Sequence, residues 1–118
     1  MYSAQVLDHF KNPRNAGDLP DATAMVEASN PACGDILRLA VRVEAGRIAE
    51  ARFKIQGCTT SIACGSQLTE MIRGKTLAEA RAITYQQISD ALGGLPPATV
   101  HGSQLACDAL QAVLAKLN

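Results

Sequence analysis

The sequence predicts an α+β fold in which a small three-stranded antiparallel sheet packs against a layer of helices. Two patterns lead to this prediction. After a short N-terminal helical stretch, residues 24–56 alternate between apolar and polar side chains, whereas apolar residues from position 59 onward recur at helical spacing. Glycine and proline separate these segments and interrupt regular structure. Because the strands come first and most helices follow, the chain fits the α+β class.

The N-terminal stretch "YSAQVLDHF" favours a helix, because its large apolar residues fall near one helical face. These residues are Tyr2, Val6, Leu7 and Phe10. The following "KNPRNAGDLP" contains two prolines and a glycine. They end the helix and predict a flexible segment before the sheet.

Three strands are predicted from the alternating region. "ATAMVEA" forms a short first strand, and the second and third strands join at "EAG", where Gly46 suits a tight hairpin turn. One face of each long strand is apolar, so the sheet is expected to bury a single face. The apolar positions are Leu37, Leu39, Val41 and Val43 in the second strand and Ile48, Ala51, Phe53 and Ile55 in the third.

Several helices are predicted after the sheet. The first covers "TTSIACGSQLTEMIRG", and Gly74 is expected to serve as its C-terminal cap. Two short helical segments follow, "TLAEARAI" and "TYQQISDAL". The prolines and glycines of "GGLPP" then break the chain before a last helix from about Ser103 to Leu117.

Length and composition limit the function. With 118 residues the chain is expected to form one domain, residues 1–118, and its formal net charge of zero disfavours nucleic acid and anionic membrane surfaces as partners. No apolar run approaches the roughly 20 residues of a membrane helix, and the N-terminus lacks a secretory signal. We therefore expect a cytoplasmic protein whose four cysteines stay reduced. Without a Cys-x-x-Cys pair, they are buried, metal-binding or reactive residues.

Two cysteines stand in settings that suit a metal ligand. Cys33 and Asp35 lie in the loop "NPACGD", where the alternative is a turn with an incidental buried thiol. Cys58 comes directly after Gly57, which permits a sharp strand-to-helix transition. The helix dipole would favour a thiolate at Cys58, and the alternative is a small core residue. The residues expected to cap this helix are Thr59, Thr60 and Ser61.

Cys64 and His101 are weaker candidates when taken alone. Cys64 lies about 120° around the helix from Cys58, so it is interpreted as core filler rather than as a second ligand. His101 stands just before a capped helix, as Cys58 does, and it is either a ligand or an ordinary boundary residue. Two such junctions and the loop that carries Cys33 could converge at one end of the sheet.

Taken together, several motifs resemble the U-type iron–sulfur cluster assembly scaffolds, which comprise IscU-like and SufU-like proteins and the N-terminal domain of NifU. The motifs span nearly the full chain: "HFKNPRNAG", "NPACGD", "GRIAEARFKIQGC", "SQLTEMIRGKTLAEA", "GGLPP" and "LACDAL". The resemblance implies the compact α+β fold of these scaffolds. It also implies a protein that is not itself an enzyme, and that assembles a [2Fe–2S] cluster or holds a zinc or iron ion at one exposed end.

The resemblance carries a ligand set over to this chain, namely Cys33, Asp35, Cys58 and His101. It implies that sulfur arrives as persulfide from a cysteine desulfurase and that the cluster passes to apoprotein acceptors. Thiolates combined with carboxylate and imidazole suit a carrier that must release its cargo. A further ligand could come from a partner chain or from a second copy in a homodimer.

Two positions depart from the family pattern. Gly102 stands where the family's third cysteine follows the histidine, and it offers no side chain. Cys107 is a weak substitute, because on a helix it lies about 140° around from Gly102 with roughly 7 Å of rise, beside an apolar stripe. Thr99 stands in place of the lysine in the chaperone-recruiting L-P-P-x-K loop of IscU-like members, so contact with an Hsp70-type chaperone is doubtful.

Three functional interpretations follow. The leading one is a cluster scaffold or carrier with the reduced ligand set. The second is a zinc-bearing persulfide acceptor or adaptor of a cysteine desulfurase that has no cluster of its own. The third is a binding domain that has lost its metal chemistry and keeps only partner contacts.

Overall fold

A computed structural model describes residues 2–30 and 34–117, and within these ranges the chain forms a three-stranded sheet and five helices. The strands are β1 (Ala24–Asn30), β2 (Asp35–Glu44) and β3 (Arg47–Gln56). The helices are α1 (Ala4–Lys11), α2 (Thr59–Ile72), α3 (Leu77–Arg81), α4 (Tyr85–Ala91) and α5 (His101–Ala115). The predicted α+β class is confirmed.

The sheet has the strand order β1–β2–β3, and both pairs are antiparallel as predicted. The β2–β3 hairpin turns at Ala45 and Gly46, whose φ angles of 53° and 75° are both positive. Two-residue hairpin loops favour this backbone because it matches the twist of the strands. A register shift after Arg42 adds one residue to β3, so that Ile48 and Ala51 are both buried although two residues separate them.

The core lies between one face of the sheet and the helices α2 and α5. The strands contribute Leu37, Leu39, Val41, Ile48, Ala51 and Phe53, and the two helices contribute Leu68, Ile72, Leu105, Leu110 and Leu114. A fully buried leucine or isoleucine stabilises a fold by roughly 1.5–3 kcal/mol. This layer therefore fixes α2 and α5, together with the residues at their N-termini, against the sheet.

The predicted apolar face of α1 is partly wrong. Val6 is buried, but the other three large apolar residues of this stretch are between 37% and 46% exposed. His9 is buried instead, and its Nδ1 atom shares a hydrogen bond of 2.7 Å with the Ser66 hydroxyl of α2. A buried polar group is tolerated when it is hydrogen-bonded, so the partner on α2 sets which face of α1 turns inward.

The helix ends also refine the prediction. α5 begins at His101, two residues before the predicted start at Ser103, and ends at Ala115. α2 ends at Ile72, and Gly74 follows with a φ of 84°, the left-handed backbone expected of a glycine just beyond a helix. Every helix in residues 2–30 and 34–117 is too short or too polar to span a lipid bilayer.

Candidate metal centre

Three of the predicted ligands lie together at one end of the sheet. Asp35 begins β2, Cys58 is the N-cap of α2, and His101 is the first residue of α5. Each offers one ligand atom, and these three atoms all lie within 4.8 Å of one another. The antiparallel pairing brings Asp35 and Cys58 together, because Ile36 near the start of β2 pairs with Gln56 at the end of β3. The turn from β3 into α2 therefore falls beside Asp35.

Asp35 is a buried carboxylate that faces the helices. It shares the strand face of Leu37 and Leu39, and its side chain is 7% exposed. Its Oδ2 atom lies 3.8 Å from Nε2 of His101 and 4.0 Å from Sγ of Cys58. A buried carboxylate is costly without partners. The position of Asp35 at the sheet end, rather than deeper along β2, gives it these polar neighbours.

Gly57 makes room for the Asp35 carboxylate. A Cβ atom at Gly57 would lie 2.8 Å from Cγ of Asp35, 2.9 Å from Oδ1 and 3.2 Å from Oδ2. The φ angle of Gly57 is not among the positive ones, so its backbone conformation is open to other residues. The glycine was predicted to permit a sharp turn, but the structure gives a different reason. The carboxylate lies directly against the Gly57 Cα.

Cys58 is exposed and occupies the N-cap position with extended backbone, φ −81° and ψ 171°. The Cys58 side chain makes no capping hydrogen bond, and because Cys58 is the N-cap, the prediction that Thr59, Thr60 or Ser61 would supply the cap is wrong. The Ser61 hydroxyl is bonded elsewhere: it donates to Asp35 Oδ2 at 2.5 Å and lies 3.3 Å from the Cys58 sulfur. The N–H groups of the first turn have no partner within the helix, which makes this end favourable for an anion such as a thiolate.

His101 reaches the group from the third element. Its side chain is 24% exposed, so the imidazole has one side toward Asp35 and another toward solvent. The helix that it begins has Val100 as N-cap and no side-chain cap, so the expected capped start is wrong. The Ser103 hydroxyl donates to the Val100 carbonyl at 2.7 Å instead.

The structure describes two of the remaining three cysteines. Cys33 lies outside the described residues. Cys64 is fully buried in the core, as predicted, and burial followed by the nearby Cys58 charge raises the pKa of its thiol to about 12. Cys107 is partly buried, as its helical position predicted. Its thiol donates toward the Ile83 carbonyl at 3.7 Å, and among the described residues it is not part of the three-ligand group. Burial raises the pKa of Cys107 as well.

Gly102 is closed in by α2. It is buried, and a Cβ atom there would lie 3.2 Å from the Cys64 sulfur and 3.3 Å from the Cα of Ser61. Such distances are shorter than a comfortable carbon contact of about 3.5–4.0 Å. The space beside position 102, where the family pattern has a thiol, is therefore occupied by atoms of α2.

The sequence did not identify two contacts of this site: the hydrogen bond from Ser61 to Asp35, and the close packing of Gly57 against the same carboxylate. Residues three apart on a helix lie on one face. The spacing between Cys58 and Ser61 was therefore a signal that the hydroxyl could reach the thiol. The contact of Gly57 with Asp35 had no such signal, because it depends on how β2 pairs with β3.

The donor set suits zinc or iron. Thiolate, imidazole and carboxylate are all zinc ligands, and thiolate is the donor that iron–sulfur clusters prefer. Three described ligands leave a position for a fourth, and Cys33 is two residues from Asp35 in the sequence.

Two proteins of similar sequence are named as iron–sulfur cluster assembly scaffolds. The chain is 46% identical over 111 residues to the iron–sulfur cluster assembly scaffold protein IscU 1 of Archaeoglobus fulgidus, covering 94% of this chain and 72% of that protein. It is 48% identical over 119 residues to the iron–sulfur cluster assembly scaffold protein IscU of Azotobacter vinelandii, covering 96% and 91%.

A solved structure shares the fold. It is described as an iron–sulfur cluster assembly scaffold protein for the SUF system of Fervidobacterium islandicum AW-1, with a TM-score of 0.80, 23% identity and 96% of each chain covered. The family model described as NifU-like N terminal domain matches residues 1–118. The chain belongs to the family of NifU-like N-terminal domains.

Proposed function

We propose that this protein is an iron–sulfur cluster assembly scaffold, a single domain over residues 1–118 that is not itself an enzyme. The observation that carries the proposal is the meeting of Asp35, Cys58 and His101, whose ligand atoms lie within 4.8 Å of one another at a partly exposed end of the sheet. The names of relatives with 46% and 48% identity point to the same activity.

The cargo is a [2Fe–2S] cluster, or a zinc or iron ion, held by Asp35, Cys58 and His101 with Cys33 as a second thiolate. Carboxylate and imidazole bind iron less permanently than thiolate does, so the set can release what it holds. Exposure serves the same purpose, because Cys58 is open to solvent and an acceptor can approach it. The proposed partners are a cysteine desulfurase and apoprotein acceptors in the cytoplasm, and a second copy of the chain as a homodimer. We propose no Hsp70-type partner because of Thr99.

Anaerobic reconstitution tests the proposal. The protein is incubated with ferrous iron, cysteine, a cysteine desulfurase and a thiol reductant that converts persulfide sulfur to sulfide, and absorption in the visible region is recorded. Thiolate-to-iron charge transfer should appear in the wild type and in Cys107→Ser, which leaves the three ligands unchanged, and should be lost in Cys58→Ser. A colourless wild-type product without bound iron would refute cluster assembly.

A second candidate function is a zinc-bearing persulfide acceptor without its own cluster. The observation that favours it is that Cys58 is exposed while Gly102, in place of the family's third cysteine, is closed in by Cys64 and Ser61. The Cys58 thiolate would attack the outer sulfur of the donor persulfide. A new S–S bond forms on Cys58, the donor's S–S bond breaks, and the donor leaves as a thiolate.

Mass spectrometry, read together with the reconstitution, separates the two functions, because only the second function gives a persulfide in a protein that forms no cluster. After incubation with the desulfurase and cysteine, and with iron excluded, a mass increase of one sulfur atom should be found on Cys58 or Cys33 if the second function holds. An unmodified pair of thiols would rule that function out, and Cys107→Ser again provides the control for a cysteine outside the group.

A further inference from the structure

We infer that Ser61 is a positioning residue of the metal centre, whose hydroxyl holds the Asp35 carboxylate in the orientation that faces Cys58 and His101. The inference rests on the proposed metal-binding role of this site and names a residue that acts through a ligand rather than as one.

The contacts of the hydroxyl support this role. Ser61 is buried, its hydroxyl donates to Oδ2 of Asp35 at 2.5 Å, and its oxygen lies 3.3 Å from the sulfur of Cys58. One hydroxyl group thus touches two of the three ligands. A hydroxyl has a single proton and two lone pairs, so with its proton on the carboxylate the oxygen can accept from the Cys58 thiol. Hydrogen bonds to a carboxylate are about twice as strong as neutral ones.

The carboxylate is held from two directions. Gly57 lies beneath it, where even a Cβ atom would be 2.8 Å from Cγ of Asp35, and Ser61 fixes the Oδ2 side. Oδ2 is the same oxygen that lies 3.8 Å from His101. A carboxylate oxygen has two lone pairs, and the Ser61 hydrogen bond uses one of them. The other remains for an ion placed among the three ligands.

Ser61 is itself held in place by α5. A Cβ atom at Gly102 would lie 3.3 Å from the Cα of Ser61 and 3.4 Å from its hydroxyl oxygen, so the first turn of α5 packs directly against this serine. The absence of a side chain at position 102 leaves the space that Ser61 uses. The glycine at position 102 and the contact with Ser61 therefore both belong to the close packing between α5 and α2.

A purely structural role would give a different result from a positioning role. If the hydroxyl only satisfied a buried carboxylate, its loss would lower the free energy of unfolding without a specific effect on metal affinity. Ser66 provides the matched control. It is a buried serine of the same helix, and its hydroxyl contacts His9 and the backbone N–H of Arg14 rather than the three ligands.

Cobalt binding to the full chain tests the inference. Co²⁺ is titrated against a competing chelator in the wild type, Ser61→Ala and Ser66→Ala, with the thiolate-to-cobalt absorption as the signal and chemical unfolding measured in parallel. Loss of a partner that orients a ligand typically lowers metal affinity about 10–100-fold. We expect that loss in Ser61→Ala and near wild-type affinity in Ser66→Ala. Equal affinities in the two variants would overturn the inference.

An isosteric pair keeps the test decisive if Ser61→Ala does not fold. Ser61→Thr keeps the hydroxyl and Ser61→Val replaces it with a methyl group of similar size. Only Ser61→Thr should retain cobalt affinity, and equal binding by both would refute the positioning role. In an Asp35→Ala background, Ser61→Ala should have no further effect on affinity, because its action passes through Asp35. An undiminished further loss would also refute it.

The outcome is separable from the proposed function. A wild type that binds Co²⁺ through a thiolate, but forms no cluster in the reconstitution, would refute the scaffold proposal while leaving the Ser61 comparison valid. A wild type that forms the cluster, with Ser61→Ala and Ser66→Ala equal in cobalt affinity, would refute only the role of Ser61. A wild type that binds no Co²⁺ would overturn the inference about Ser61, and the reconstitution alone would then decide the proposed function.

Discussion

Two serines of α2 each hold a buried ionisable side chain from another element, but among the described residues only the Ser61 contact belongs to a group of three possible ligand atoms. Ser66 shares a hydrogen bond with His9 of α1, and its hydroxyl also accepts from the backbone N–H of Arg14. Ser61 donates to Asp35 of β2, beside the exposed Cys58 and the partly exposed His101. At Ser66 the polar groups satisfy one another, as in a structural contact. At Ser61 they converge and retain lone pairs, as in a binding site.

The largest loss of stability and metal affinity is expected from Gly57→Ala, which disrupts the contact between Gly57 and Asp35. Its Cβ atom would lie 2.8 Å from Cγ of Asp35, so the carboxylate must move away from Cys58 and His101. We expect the overpacking to lower the free energy of unfolding by about 1–3 kcal/mol and Co²⁺ affinity to fall as well. Chemical unfolding and cobalt titration measure the two effects. Gly57→Ala in an Asp35→Ala background should cost far less stability, and an equal cost would show that the clash lies elsewhere.

A smaller loss of stability is expected from Gly102→Ala, because its added methyl group would crowd the contact between α5 and Ser61. Alanine is favoured over glycine within a helix by about 1 kcal/mol, but here its Cβ atom would meet the Cys64 sulfur at 3.2 Å and the Ser61 backbone at 3.3 Å. Because both neighbours are buried, we expect the clash to outweigh the helix propensity and the variant to be less stable than the wild type.

Cys64→Ala provides the test of that explanation. It removes the sulfur that the new methyl group would meet but leaves the Ser61 contact, so adding Gly102→Ala to Cys64→Ala should cost less stability in chemical unfolding than adding it to the wild type. If Gly102→Ala destabilises both backgrounds equally, contact with Cys64 is not the cause.

The smallest effect concerns His9, which is hydrogen-bonded to Ser66, and it appears as a pH dependence of the free energy of unfolding. Burial, followed by the positive charge of Arg14, lowers the pKa of His9, while Glu70, Asp8 and Gln67 oppose the shift. The folded state therefore favours the neutral ring. The stability contributed by His9 should be complete above the unfolded pKa of about 6.5 and should be lost as the pH falls through that value towards the folded pKa.

Unfolding by denaturant at a series of pH values checks this expectation. The free energy of unfolding of the wild type should decline between about pH 6.5 and pH 5, above the range where most carboxylates titrate. The decline should be weaker in His9→Gln, which cannot take up a proton. Identical pH profiles for the two proteins would contradict the assignment to His9.

The sheet was predictable because its signals are local. Alternation in β2 and β3 and the glycine of the hairpin each appear within a few residues of sequence. The inward face of α1 was not predictable, since His9 is buried only because Ser66 comes from a helix far along the chain. The missing side-chain cap of α2 has the same kind of cause, because Ser61 bonds to Asp35 on β2.

The candidate site was predictable in its ligand types but not in its supporting contacts. Asp35, Cys58 and His101 were named from motifs, and whether they bind metal stays a prediction. The closeness of Asp35 and Cys58 follows from the β2–β3 register, which the hairpin largely sets, whereas His101 is brought to them by the packing of α5 against the sheet. The tight contact of Gly102 with Cys64 and Ser61 depends on how closely two helices approach, and no spacing in the sequence encodes that distance.

The meeting of β2, α2 and α5 at the three possible ligands has a consequence for the stability of an ion-bound protein. Asp35 and Cys58 are 23 positions apart in the sequence, and His101 belongs to the last helix. An ion held by all three joins the sheet, α2 and α5, and it binds the folded chain in preference to the unfolded one. It therefore raises the free energy of unfolding by an amount that grows with its concentration relative to its Kd. A bound ion would then connect three segments of the chain, and a partner that loosened any one of them would lower the affinity for the ion.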